Sequence, residues 1–136
     1  MKIKMGLAQI SPKLGDVPAN LSRHLAMIEQ AAGQGVQLLM FPELSLTGYY
    51  LQDMVYEVAH RPVAGDPVFD PLLAASRQHQ IDLTVGFVEE DSRHRFFISQ
   101  AYISMGVVEH VHHKVYLPTY GLFDEGRYFA WGDGVR

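Results

Sequence analysis

Val36-Gln37-Leu38-Leu39-Met40-Phe41 is an almost unbroken apolar run that stops at Pro42-Glu43. A strand with one wetted face alternates apolar and polar residues, so this run predicts a strand buried on both faces, in a sheet covered by helices. Proline fixes φ and carries no N–H, so the chain leaves the ladder at Pro42 and Glu43 falls at the strand's C-terminal edge. That edge is where open α/β sheets bind ligands.

The neighbouring segments support an α/β chain. Ile3 to Ile10 is rich in strand formers. Two prolines and a glycine make Ser11–Pro18 a loop. Asn20 is then expected to cap a helix with Leu21, Leu25 and Ile28 on its buried stripe, stopped by Gly33 or Gly35. Asp53 is expected to cap a short helix through Ala59, and Asp70 another with Pro71 at its first helical position. Strands follow over Ile81–Glu89, Arg95–Met105 and Val107–Val115, with Arg93-His94 and Met105-Gly106 as turns. A β-α-β-α-α-β opening followed by a meander predicts a mixed sheet. Leu117 to Arg136 is irregular, which signals a functional loop or a cut boundary; the domain is expected to continue beyond residue 136.

Composition narrows the class. The chain has 136 residues, enough for one domain that buries about two thirds of its unfolded surface. Its 48% apolar and 19% charged residues place it well away from the disordered regime. A net charge of −4 supplies no basic footprint, so nucleic acid is not an expected partner. The apolar runs fall far short of the roughly 20 residues a membrane helix needs, and the first residues lack a signal-peptide core; a cytoplasmic location is expected. There is no cysteine, hence no disulfide and no thiolate metal site.

Several residues could carry chemistry. Leu44-Ser45-Leu46-Thr47-Gly48-Tyr49-Tyr50 forms an apolar surround for Glu43, expected to desolvate the carboxylate and suit it to general-base work. Lys114 ends the run Val107–His113, before a Tyr- and Pro-rich loop; a directed, partly buried ammonium there could stabilise an oxyanion. Glu125 could hold Lys114 or pair with Arg127, and composition favours the surface pair. His110 and His112 share a strand face next to His113, but no carboxylate or thiolate set accompanies them, so a metal is not expected. No phosphate loop opens a helix, and no serine has a nucleophile-elbow context.

Phe41-Pro42-Glu43-Leu44-Ser45-Leu46-Thr47-Gly48-Tyr49 and His113-Lys114-Val115-Tyr116-Leu117-Pro118-Thr119-Tyr120-Gly121-Leu122-Phe123-Asp124-Glu125-Gly126-Arg127-Tyr128-Phe129 together resemble motifs of the nitrilase, or carbon-nitrogen hydrolase, superfamily. Gly6-Leu7-Ala8-Gln9-Ile10, Gly15-Asp16 and Asn20 resemble its first strand and loop. The resemblance spans the chain and implies a four-layer αββα sandwich, of which residues 1–136 are the N-terminal half. It further implies a Glu-Lys-Cys triad, with Glu43 as base, Lys114 at the oxyanion and Glu125 as a second glutamate beside them. Tyr49, Tyr120 and Phe123 would line the pocket for a small amide or nitrile-derived substrate. No cofactor is implied, and a homo-oligomer is expected. The motifs are most similar to glutaminase domains of glutamine-dependent NAD synthetases and to related amidases. The family's cysteine lies some tens of residues after its lysine, whereas only 22 residues follow Lys114. The chain alone is therefore expected to be inactive; the rival reading is a non-catalytic remnant that binds an amide or a partner.

Overall fold

The computed structural model describes residues 2–135. A single five-stranded sheet runs in the order β1 (Met5–Leu7), β2 (Leu38–Met40), β3 (Asp82–Glu90), β4 (Phe96–Ser104) and β5 (Val107–His113). β1, β2 and β3 are parallel neighbours, and β3, β4 and β5 form an antiparallel meander. The parallel half needs crossovers. These carry helix α1 (Val17–Gly33), between β1 and β2, and helix α2 (Phe69–His79), between β2 and β3. A 3-10 turn, Gln52–Tyr56, precedes α2, and a four-residue helix α3 (Glu125–Tyr128) follows β5.

One face of the sheet carries the core. Leu39, Leu83, Val85, Phe87, Ala101 and Ile103 are buried, and the Phe69 ring of α2 meets Phe87 edge-on at 4.9 Å. The strand register puts Leu38, Met40, Thr84, Gln100, Tyr102 and His112 on the other face, where each is only partly buried. Exposed Met5 and Leu7 extend this open face to the β1 edge.

The local signals explain most boundaries, with four corrections. α1 begins at Val17, capped by Asp16, whose side chain accepts from the Ala19 N–H at 3.1 Å. Asn20 is instead a buried residue inside α1 that clamps two loops: its amide donates to the carbonyls of Lys13 (2.8 Å) and Leu46 (3.0 Å). The buried stripe is accordingly Val17, Asn20, His24, Ile28 and Ala31, while Leu21 and Leu25 are partly buried. α2 starts at Phe69, two residues before Pro71, because Asp66 accepts from Val68 N–H and Phe69 N–H. β1 is confined to Met5–Leu7, the three residues that pair with the three of β2. Around Asp53 the chain makes a 3-10 turn that ends at Tyr56, short of Ala59. Met105-Gly106 is the expected two-residue hairpin turn, with positive φ at both positions.

Candidate active site

The site is built at the end of the sheet where β2 stops. After Phe41, whose N–H still bonds Thr84 O at 2.9 Å, the chain crosses β3 on its open face. The Pro42-Glu43-Leu44 backbone lies so close to Gly86 that a Cβ there would stand 2.4 Å from Pro42 O and 2.5 Å from Leu44 N. Leu44 completes the elbow at φ +50, a left-handed conformation that is costly for a side chain of its size. The elbow turns Leu44, Ser45, Leu46 and Thr47 inward, all buried, and leaves the Glu43 side chain 45% exposed. The apolar loop therefore packs beneath Glu43 without desolvating its carboxylate, contrary to the expectation from sequence.

Lys114 follows directly on β5. Its backbone N–H bonds Ile98 O at 2.8 Å and its carbonyl accepts from Gly132 N–H at 3.0 Å, so the residue is pinned from both sides. The preceding His113 stacks on Phe97, ring centres 4.1 Å apart, and its Nε2 lies 2.8 Å from the Glu89 carboxylate, which also accepts from the Ser99 hydroxyl. The Lys114 ammonium donates to Glu43 Oε1 at 2.8 Å and to Glu125 Oε1 at 3.0 Å. Burial pulls the Lys114 pKa down, but the hydrogen bonds and charges of Glu43 and Glu125 outweigh it, and the pKa lies above its usual value. Lys114 is thus a fixed cation at neutral pH and serves as a donor rather than a base. Partly exposed, the pair with Glu43 contributes no more than about 1 kcal/mol to stability; its value lies in geometry.

Glu125 is 5% exposed at the start of α3. The surface pair with Arg127 favoured by composition does not form, since the Arg127 guanidinium lies over the Tyr128 ring. Tyr49 donates its hydroxyl to Glu125 Oε1. Burial, reinforced by Glu125 and Glu43, raises the Tyr49 pKa far above the usual phenol value, so it stays a donor. Glu125 Oε2 is buried and has no hydrogen-bond partner among the described residues.

Two clefts meet at this constellation, with Ile98 in the wall of both. The first, about 340 Å³, is lined by Glu43, Lys114, Gln100, His112 and Tyr116. The second, about 260 Å³, is lined by Tyr49, Leu51, Phe123, Glu125 and Phe129, among others. Tyr49 and Phe123 meet edge-on at 6.1 Å. Tyr120 is 73% exposed and touches the cleft only through its edge-on contact with Phe123, so it is not a wall residue. Among the described residues no group of three or more His, Asp or Glu side chains could hold a metal, and no helix is long and apolar enough to cross a membrane.

Sequence reading missed His24. It is fully buried on α1, stacked on Phe41 with ring centres 4.1 Å apart, and bonded to Asn20 O at 2.7 Å and Ser45 Oγ at 2.9 Å. The signal was available: Asn20 and His24 stand in line with Ile28 at four-residue spacing. Burial is the main cause that lowers the His24 pKa from 6.5 to about 4. The unfolded chain therefore binds the extra proton between those values, so stability conferred above pH 6.5 is lost as pH falls towards 4. The expected loss is about 3 kcal/mol. Urea unfolding at stepped pH should show it, and His24→Leu should flatten that part of the profile.

Residues 4–135 match the carbon-nitrogen hydrolase family model, and the chain belongs to that family. It is 33% identical over 129 residues to a glutamine-dependent NAD(+) synthetase of Acinetobacter baylyi, an alignment covering 95% of this chain and 23% of that protein. The structure is similar to that of the glutamine-dependent NAD+ synthetase of Acinetobacter baumannii in complex with ADP, with a TM-score of 0.81 and 33% identity over 97% of this chain and 24% of the other. It is also similar to an amidase from a Nesterenkonia species, with a TM-score of 0.81 and 25% identity over 97% of this chain and 49% of that one. The chain thus spans about a quarter of the synthetases and about half of the amidase. The fold is the α/β architecture of the nitrilase type, to whose αββα layers this chain supplies a sheet and its covering helices.

Proposed function

We propose that this chain supplies the base and the oxyanion-stabilising cation of an amide hydrolase of amidase or glutaminase type, with a cysteine nucleophile contributed by polypeptide outside these residues. The observation that carries the reading is the Lys114 ammonium held between Glu43 and Glu125 at the mouths of two clefts. The half-exposed Glu43 carboxylate is reachable by a thiol entering from the open face and takes its proton. The thiolate adds to the amide carbonyl, and Lys114, kept protonated by its two carboxylates, donates to the oxyanion. The amine or ammonia leaves with a proton returned by Glu43, and water then hydrolyses the thioester. Glu125, whose Oε1 accepts from both Lys114 and Tyr49, holds the ammonium towards the clefts, and Tyr49 and Phe123 form a wall for a small amide. Similarity to synthetases and to an amidase supports this substrate class.

The absence of cysteine favours the rival reading for the isolated chain, a binding half without turnover. Ammonia release from glutamine and from simple aliphatic amides separates the two. The 136-residue chain should release none, and a longer gene product with a cysteine downstream of Lys114 should release it. Turnover by the short chain would overturn the thiol mechanism. Loss of turnover nowhere but in the short chain would support it, and an inert long product would leave the binding reading standing.

A further inference from the structure

We propose that His24 and Ser45 form a buried positioning pair that holds the Pro42–Ser45 elbow, and with it the Glu43 carboxylate, at hydrogen-bonding distance from Lys114. The inference rests on the proposed reading only for its catalytic consequence.

The side-chain partner of Glu43 among the described residues is Lys114, and the carboxylate is otherwise half exposed. Its location therefore depends on its backbone. That backbone is gripped on both sides by His24: the imidazole stacks on Phe41, two residues before Glu43, and bonds Ser45, two residues after it. Ser45 Oγ in turn lies 3.3 Å from both N and O of Gly86, the residue on which the Glu43 peptide rests. One point thus joins α1, the elbow and β3.

The proton arrangement is determined by the partners. Asn20 O can only accept, so His24 Nδ1 carries the hydrogen. Nε2 of the neutral ring then accepts the one Ser45 O–H, being at 2.9 Å a nearer acceptor than Gly86 O at 3.3 Å, and Ser45 Oγ accepts from Gly86 N–H. Both side chains are wholly buried. A fully buried polar pair is costly to desolvate and adds little to packing that apolar residues would not supply. What it adds is direction, since hydrogen bonds of fixed length locate the elbow where dispersion contacts would let it slide.

The test is a ¹⁵N NMR titration of the Lys114 ammonium in the 136-residue chain, which reports the nearness of Glu43 without any turnover. Glu43→Gln defines the full fall in the Lys114 pKa. Ser45→Ala, which removes one oxygen, and His24→Leu should each give at least half of that fall, while Leu72→Ala, a core truncation in α2, should leave the titration unchanged. A Ser45→Ala chain that is folded and titrates like wild type would overturn the proposal, as would Leu72→Ala producing the same fall. The unsubstituted chain supplies a second check through the ¹⁵N shifts of His24: the Nδ1–H tautomer is required at pH 7, and an Nε2–H or charged ring would also overturn it. Failure of amide hydrolysis in a longer product would count against the proposed function and leave these readouts intact.

Discussion

Glu43→Gln, introduced into a longer product that supplies the thiol, is expected to lower kcat for amide hydrolysis about a thousandfold while changing KM little. Glutamine keeps the length of the side chain and an oxygen that can still accept from Lys114, now 2.8 Å from Glu43 Oε1. It cannot take a proton. The loss therefore falls on deprotonation of the nucleophile rather than on binding. Lys114→Met should cost about a hundredfold or more by withdrawing the oxyanion donor. The double variant should be scarcely worse than the more damaging single change, because base and cation serve one step. A Glu43→Gln enzyme within tenfold of wild type would remove Glu43 from the role of base. Burst kinetics with an ester substrate would show the same defect directly, as a slowed first turnover.

Much of the fold could be read from residue patterns, and the misses have physical causes. The long strands β3, β4 and β5 carry their own apolar runs and turn signals, and their order was readable. Asp16 and Asn20 are both good capping residues, and Pro18, which belongs in a first helical turn, discriminates in favour of Asp16. Asn20 and His24 were drawn from the cap and polar classes into the core by partners far along the chain, Leu46 and Ser45. Composition points Glu125 to the wrong partner for a similar reason. Arg127 is near in sequence, but α3 buries Glu125 and brings it to Lys114, which only the fold of the intervening loop decides. The segment after Glu43 is apolar as its sequence indicates, yet its direction depends on a single left-handed residue, Leu44, that no periodicity reveals.

Gly86→Ala should be the most damaging single-methyl addition to this chain, with an expected loss of about 4 kcal/mol. Its φ is not in the left-handed region, so the requirement for glycine is one of space. The new Cβ would stand 2.4 Å from Pro42 O, 2.5 Å from Leu44 N and 3.0 Å from Glu43 C, all backbone atoms. No flexible side chain can swing aside, so either β3 or the elbow must move. β3 is the less able to yield, because it is paired on both edges, to β2 and to β4. The elbow is held by Leu46 N–H on Gly86 O at 3.1 Å and by Ser45, bonds that a displaced loop would break. Displacement would carry Glu43 away from Lys114, and the Lys114 pKa would fall with it. Urea unfolding combined with the Lys114 titration should therefore show both losses together. A Gly86→Ala chain that keeps its stability and its Lys114 pKa would mean that the elbow does not rest on β3 at that residue. Met40 and Thr84, on the same open face but beside the elbow rather than beneath it, should accept small apolar substitutions with far less effect on Lys114.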